Sequence, residues 1–144
     1  MNRKEFKKSL KEVLSEYDFQ YKDKIYNLTT DDLIIVIATQ KSNFDNNYYL
    51  NYGFLIRELN PNLSAPRDNQ CDVFGRFELV INRKKNNSIE IESIDPYEFS
   101  LALRKCLDEI IKPVLEFGLK KYFELYPMEI NVTTLNARKY LGLL

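Results

Sequence analysis

From about residue 21 to 93, apolar side chains recur at alternate positions, and no stretch between carries the i, i+3, i+4 spacing of a helix. Parallel neighbours need a long crossover, usually a helix, whereas antiparallel strands close through short turns. Strands that follow one another across short polar loops are therefore confined to antiparallel pairing. The alternation places them over 23–29, 32–41, 48–58, 72–82 and 88–93. Thr30-Asp31-Asp32 reads as the tight turn of a hairpin between the first two. LIIVIA at 33–38 is apolar on both faces, the pattern of a central strand. In the third strand Tyr48, Leu50, Tyr52, Phe54 and Ile56 point one way, and Tyr49, Asn51, Gly53, Leu55 and Arg57 the other. The stretch NPNLSAPRDNQ at 60–70 has two prolines and no period, so it forms the longest irregular connection.

Helical patterns flank this region. Asn2 and Glu5 have the spacing of a capping box, and Phe6, Leu10, Val13, Leu14 and Tyr17 form one apolar stripe behind it. Downstream, Asp95 is a capping residue, Pro96 stands where a missing N–H costs nothing, and Glu98 completes a second box. Ile94 and Phe99 occupy the staple positions around that cap. The pattern predicts helix from 96 to about 125, bent near Pro113, and a short last helix after Thr133 or Thr134. The fold class that results is α+β: an antiparallel β-meander of about five strands packed against an N-terminal helix and a C-terminal helical region. At 144 residues, without repeats or linkers, the chain reads as a single domain over 1–144.

Several chemistries are missing. The chain has no histidine, which rules out a Ser-His-Asp arrangement and removes the usual activator of a cysteine nucleophile. Two distant cysteines cannot supply the four ligands of a structural zinc site. Neither GxGxxG nor GxxxxGK[ST] occurs, so no cofactor is expected. Lys+Arg and Asp+Glu both total 21, a balance that argues against a chain devoted to nucleic acid. No apolar run reaches the length of a membrane span, and the charged N-terminus lacks the apolar core of a signal peptide. Cys71 and Cys106 are then expected as free thiols in the cytosol.

Cys71 could be a nucleophile only with help from a cation. Arg76 is five residues along the same strand, about 16 Å away at ~3.3 Å per residue. The expectation is a structural, partly buried thiol, with Cys106 in the core. Glu90 and Glu92 share a strand face and could gather Asp72 or Asp95 around Mg²⁺, as in a nuclease; the same alternation also describes a strand with one wet face. Lys84, Lys85 and the N-terminal lysines are the residues a nucleic-acid reading would use.

A more distinctive composition lies across the strands. Tyr49, Asn51, Arg57, Phe74 and Arg76 combine on one possible surface of aromatic rings, guanidinium groups and an amide, the mixture enriched in protein interfaces. That surface could meet a protein partner, hold a small ligand or stack bases on its aromatics; otherwise a helix covers it and the arginines reach past it to water or to Glu78.

YDFQYKDKIY after the first helix, IATQKS, YYLNYGF, CDVFGR and the long helical tail together resemble the family called domain of unknown function 4304. The family often has Gly-Phe after its first helix, where this chain has Asp18-Phe19. The resemblance implies the fold just described and a cytosolic bacterial setting, which the abundance of Lys, Asn, Ile and Tyr also fits. It transfers no catalytic residue. The functional expectation is a non-enzymatic module that binds another protein, in the manner of an inhibitor or immunity protein. Its alternatives are the carboxylate metalloenzyme and the nucleic-acid binder.

Overall fold

The computed structural model describes residues 1–144. Helix α1 runs over Arg3–Glu16, and its capping box forms as spaced: Glu5 N donates to Asn2 Oδ1 at 2.8 Å, and Asn2 N to Glu5 Oε1 at 3.0 Å. The helix ends in a Schellman arrangement. Phe19 N donates to the Leu14 carbonyl and Asp18 N to that of Ser15, with Asp18 in the left-handed region at φ 69°. That conformation is the physical reason a glycine suits this position, and Asp18 adopts it at some cost.

The strands are β1 (Gln20–Lys22), β2 (Ile25–Thr29), β3 (Leu33–Lys41), β4 (Asn47–Ile56), β5 (Val73–Arg76), β6 (Leu79–Ile81), β7 (Lys84–Asn86) and β8 (Ile89–Glu90). Strands β1 to β5 pair antiparallel in chain order, and β8 returns to the free edge of β4 beside β5. The second edge of β4 is thus shared, β5 pairing with residues 51–54 and β8 with Asn47 and Tyr48. β6 and β7 form a separate two-stranded ribbon.

Three sequence expectations shift here. The strand placed at 88–93 ends at Glu90, because Ile91–Ser93 form a 3-10 turn closed by Ile94 N on the Ile91 carbonyl, so Glu92 no longer shares a strand face with Glu90. The strand placed at 23–29 starts only at Ile25, because Asp23 and Lys24 both take positive φ and turn the chain back on a further strand, β1, that precedes them. The strand placed at 72–82 breaks at Phe77-Glu78, where the Phe77 N–H goes to the Leu50 carbonyl and the chain leaves the sheet.

Helix α2 (Pro96–Cys106) starts at Asp95, whose Oδ1 accepts from Glu98 N at 2.8 Å. A π-helical turn over Leu107–Ile111 follows, then α3 (Lys112–Phe117). The widened turn lies just ahead of Pro113, where the proline ring would press on the carbonyl of residue 109 in a regular helix. The true break comes later, at Gly118, with φ 87°. After it stand α4 (Lys120–Leu125) and α5 (Leu135–Tyr140), the latter capped by Thr134.

Helices cover one side of the sheet only. Against them lie Leu33, Ile35 and Ile37 of β3 and Tyr48, Leu50, Tyr52, Phe54 and Ile56 of β4, within a core of 33 buried residues. The other side carries a separate cluster of five, Ile25, Ile34, Val36, Leu55 and Cys71, roofed by the loop between β4 and β5. No helix is long and apolar enough to cross a membrane.

Candidate functional site

The uncovered side of the sheet divides into a roofed half and an open half. Over the first, residues 57–72 fold back as a lid fastened by Asp72. This buried carboxylate accepts from Ile56 N at 2.8 Å and Asn60 Nδ2 at 2.9 Å through Oδ2, and Thr134 N donates to its carbonyl at 3.2 Å. That last bond is to the Asp72 backbone; the Thr134 hydroxyl also donates to Asp72 Oδ1 at 3.5 Å, so one residue ties the end of β4, the lid and the start of α5. Arg57 works at the same end: its Nη1 donates to the carbonyls of Thr30 (2.6 Å) and Asp31 (3.2 Å) and so fixes the β2–β3 turn.

Cys71 closes the lid against the sheet. It is 4% exposed, and its Sγ donates to the Arg67 carbonyl at 3.5 Å. A Cβ on Gly53 would sit 2.6 Å from that sulfur, so the thiol can lie on β4 only because residue 53 has no side chain. Burial, then the neighbouring Asp68 and Asp72, push the thiol up to about 12. A thiol so disposed stays protonated at neutral pH and is no nucleophile. Cys106 is likewise buried, donates to the Glu78 carbonyl at 3.3 Å, and is pushed up to about 11 by burial.

The carboxylates considered for a metal do not converge. Asp72 is taken up by the lid, Asp95 caps α2, and Glu92 accepts from Asn46 Nδ2 at 3.3 Å. The chain has no group of three or more Cys, Asp or Glu side chains placed to hold a metal ion.

On the open half the strand register does the assembling. Gln40 lies opposite Tyr49, and Asn51 opposite Arg76. Arg76 reaches back over the sheet, donating from Nε to Asn51 Oδ1 at 3.0 Å and from Nη2 to Gln40 Oε1 at 3.2 Å. Asn51 Nδ2 also donates to Gln40 Oε1, at 3.1 Å, and the guanidinium carbon rests 4.0 Å from the centroid of the Tyr49 ring. No helix covers this network. Of the sequence-derived surface residues, Tyr49, Asn51 and Arg76 thus meet directly. Phe74 follows on the same face of β5, opposite Gly53 and 47% exposed. Arg57 does not join them; it lies beyond the far end of β4, engaged with the turn. Gln40 is the member that sequence reading left out. The alternation Ile34, Val36, Ala38, Gln40 marked it as sharing this face, but only the β3–β4 register sets it beside Tyr49.

The charge on this surface is unbalanced. None of the four ion pairs of the chain involves Arg76, and both its side-chain partners are neutral amides. A guanidinium has five N–H donors. Arg76 is exposed, and its Nη1 has no hydrogen-bond partner in the chain; with the remaining N–H of Nη2 it has the planar shape that takes a carboxylate through two parallel hydrogen bonds. The ring beneath and the two amides contact the guanidinium from three sides.

A sequence model for a family described as Domain of unknown function (DUF4304) matches residues 10–117. No curated protein and no solved structure matches the chain.

Proposed function

Because the chain belongs to the DUF4304 family, whose description assigns no activity, we propose from the geometry that it is a non-enzymatic module binding another protein through the open half of its sheet. The observation that carries the reading is Arg76, held by Asn51, Gln40 and Tyr49 and engaged in none of the chain's ion pairs. A glutamate or aspartate of the partner would enter the fork of Arg76, and the exposed ring of Phe74, with the half-buried Tyr49 beside it, would supply apolar contact around it. Pre-set side chains lower the ordering cost of such a contact, so a small surface can still be selective. An inhibitor or immunity protein works in this way, by occupying its target without turning anything over. Buried thiols, scattered carboxylates and the absence of histidine all favour binding over catalysis.

The test is capture of partners from an extract of the source cells on the immobilised protein, against Arg76→Glu and Tyr49→Ala variants. A specific partner should be retained by the parent, lost from Arg76→Glu, and displaced by a glutamate-rich peptide. Identical capture by parent and variants would overturn the proposal. So would salt-dependent retention on heparin that Lys84→Ala/Lys85→Ala abolishes and Arg76→Glu leaves alone, since that assigns the charge to nucleic acid.

A further inference from the structure

At the other end of the β3–β4 ladder, on the helix side of the sheet, a cleft of about 400 Å³ opens between the β2–β3 turn, the break after α3, and α5. Its floor is apolar and buried: Leu33, Ile56, Val114 and Leu119. Its lip carries the exposed residues Asp31 and Asp32. The volume falls within the roughly 300–1,000 Å³ of small-molecule pockets.

The polar groups of the rim point to one kind of ligand. The Thr30 hydroxyl donates inward to the Leu33 carbonyl, and the Tyr140 hydroxyl donates to Glu58 Oε2. Neither has its proton free for a ligand. Asp31 and Asp32 belong to none of the four ion pairs, and the nearby Arg57 directs its guanidinium to backbone carbonyls instead. The cleft therefore presents greasy walls with negative charge at the mouth and no free hydroxyl donor at its rim. We infer that it is a binding site for a small amphiphilic organic cation, an ammonium or guanidinium group on an apolar body. The body would lie on Leu33 and Val114 while the cation stays at the mouth between the two carboxylates. Gly118, Leu119, Tyr140 and Leu141, all outside the family-matched stretch, build one wall, so this site depends on the C-terminal segment. It is independent of the Arg76 surface.

The experiment titrates the full chain with n-hexylammonium chloride, following backbone amides by NMR, with sodium hexanoate and 1-hexanol as controls. Hexylammonium should shift the amides of residues 31–33 and 114–119 and bind more tightly than either control. Asp31→Asn/Asp32→Asn should weaken it about five- to tenfold, because two exposed charge contacts are lost. Leu115→Trp, which narrows the cleft from a partly exposed position, should weaken all three probes, and Arg76→Glu should change none. Both acidic positions are exposed and their side chains support no other group, so the fold survives the substitution. Equal binding of hexanoate, shifts mapping elsewhere, or indifference to the double asparagine variant would each overturn the assignment.

Discussion

Along β4, neighbouring residues have opposite surroundings. Phe54 and Tyr52 lie among helices, where Tyr52 and Tyr122 share a hydrogen bond of 2.8 Å and rings stack from Phe77 to Tyr126. Asn51 and Tyr49, one residue away, face solvent and hold an arginine. Around Tyr52, Phe54 and Tyr122 the helix side is closely packed with aromatic rings, and burial drives the hydroxyl of Tyr122 up to about 12. The other side is closed only as far as the lid extends, and what lies beyond is polar, pre-arranged and unpaired. The helix side carries the larger core, and the open half carries the exposed arginine network, which gives substitutions on the two faces different signatures.

Phe54→Ala should show the largest effect. The ring is fully buried against Tyr52 and Tyr122, so its removal should cost about 3–5 kcal/mol in urea unfolding. Should the loss stay below 1 kcal/mol, the helix side is not the tightly packed one. Next comes Asp72→Ala, which tests how firmly the lid is fastened. It strands the Ile56 N–H and releases Asn60, and about 2–3 kcal/mol is expected. Hydrogen exchange should show faster opening across 57–72 while the amides of β3 stay protected.

The alkaline limb of stability tests the thiols. Both are raised in the fold from an ordinary value near 9, so the folded chain holds their protons more tightly than the unfolded chain. That stabilisation is complete below pH 9 and is lost as pH climbs through 9 towards 11–12. Denaturation midpoints should therefore fall over this window, and less steeply in Cys71→Ala. Parallel slopes for parent and variant would mean that Cys71 is not sequestered. The smallest stability effect is expected from Arg76→Ala, about 0.5–1 kcal/mol, since its contacts are exposed. A change in partner retention without a change in melting temperature would sharpen the contrast with Phe54. A collapse of the fold would erase it.

Much of this architecture could be read from local chemistry. Asn2 with Glu5, and Asp95 ahead of Pro96, are caps that depend on residues three apart, and both appear where the spacing puts them. The alternation in β3 and β4 fixed which residues share a face, because side chains in an extended chain have period two whatever surrounds them. The hairpin at Asp23-Lys24 was hidden, since neither residue advertises a positive φ as Asn-Gly would. The break after Arg76 was hidden too, for VFGRFELVI alternates through it without a breaking residue.

The sequence by itself determined the antiparallel sheet, its central strand, the flanking helices and the grouping of Tyr49 with Asn51. It also determined which catalytic groups the chain lacks. Tertiary structure alone decided that Asp72 is a fastener, that Cys71 lies sealed on Gly53, and that Gln40 completes the seat of Arg76 while Arg57 serves a turn. Each of these depends on residues from different strands or loops meeting at hydrogen-bond distance. Such meetings follow from register and loop path, which a one-dimensional period does not encode.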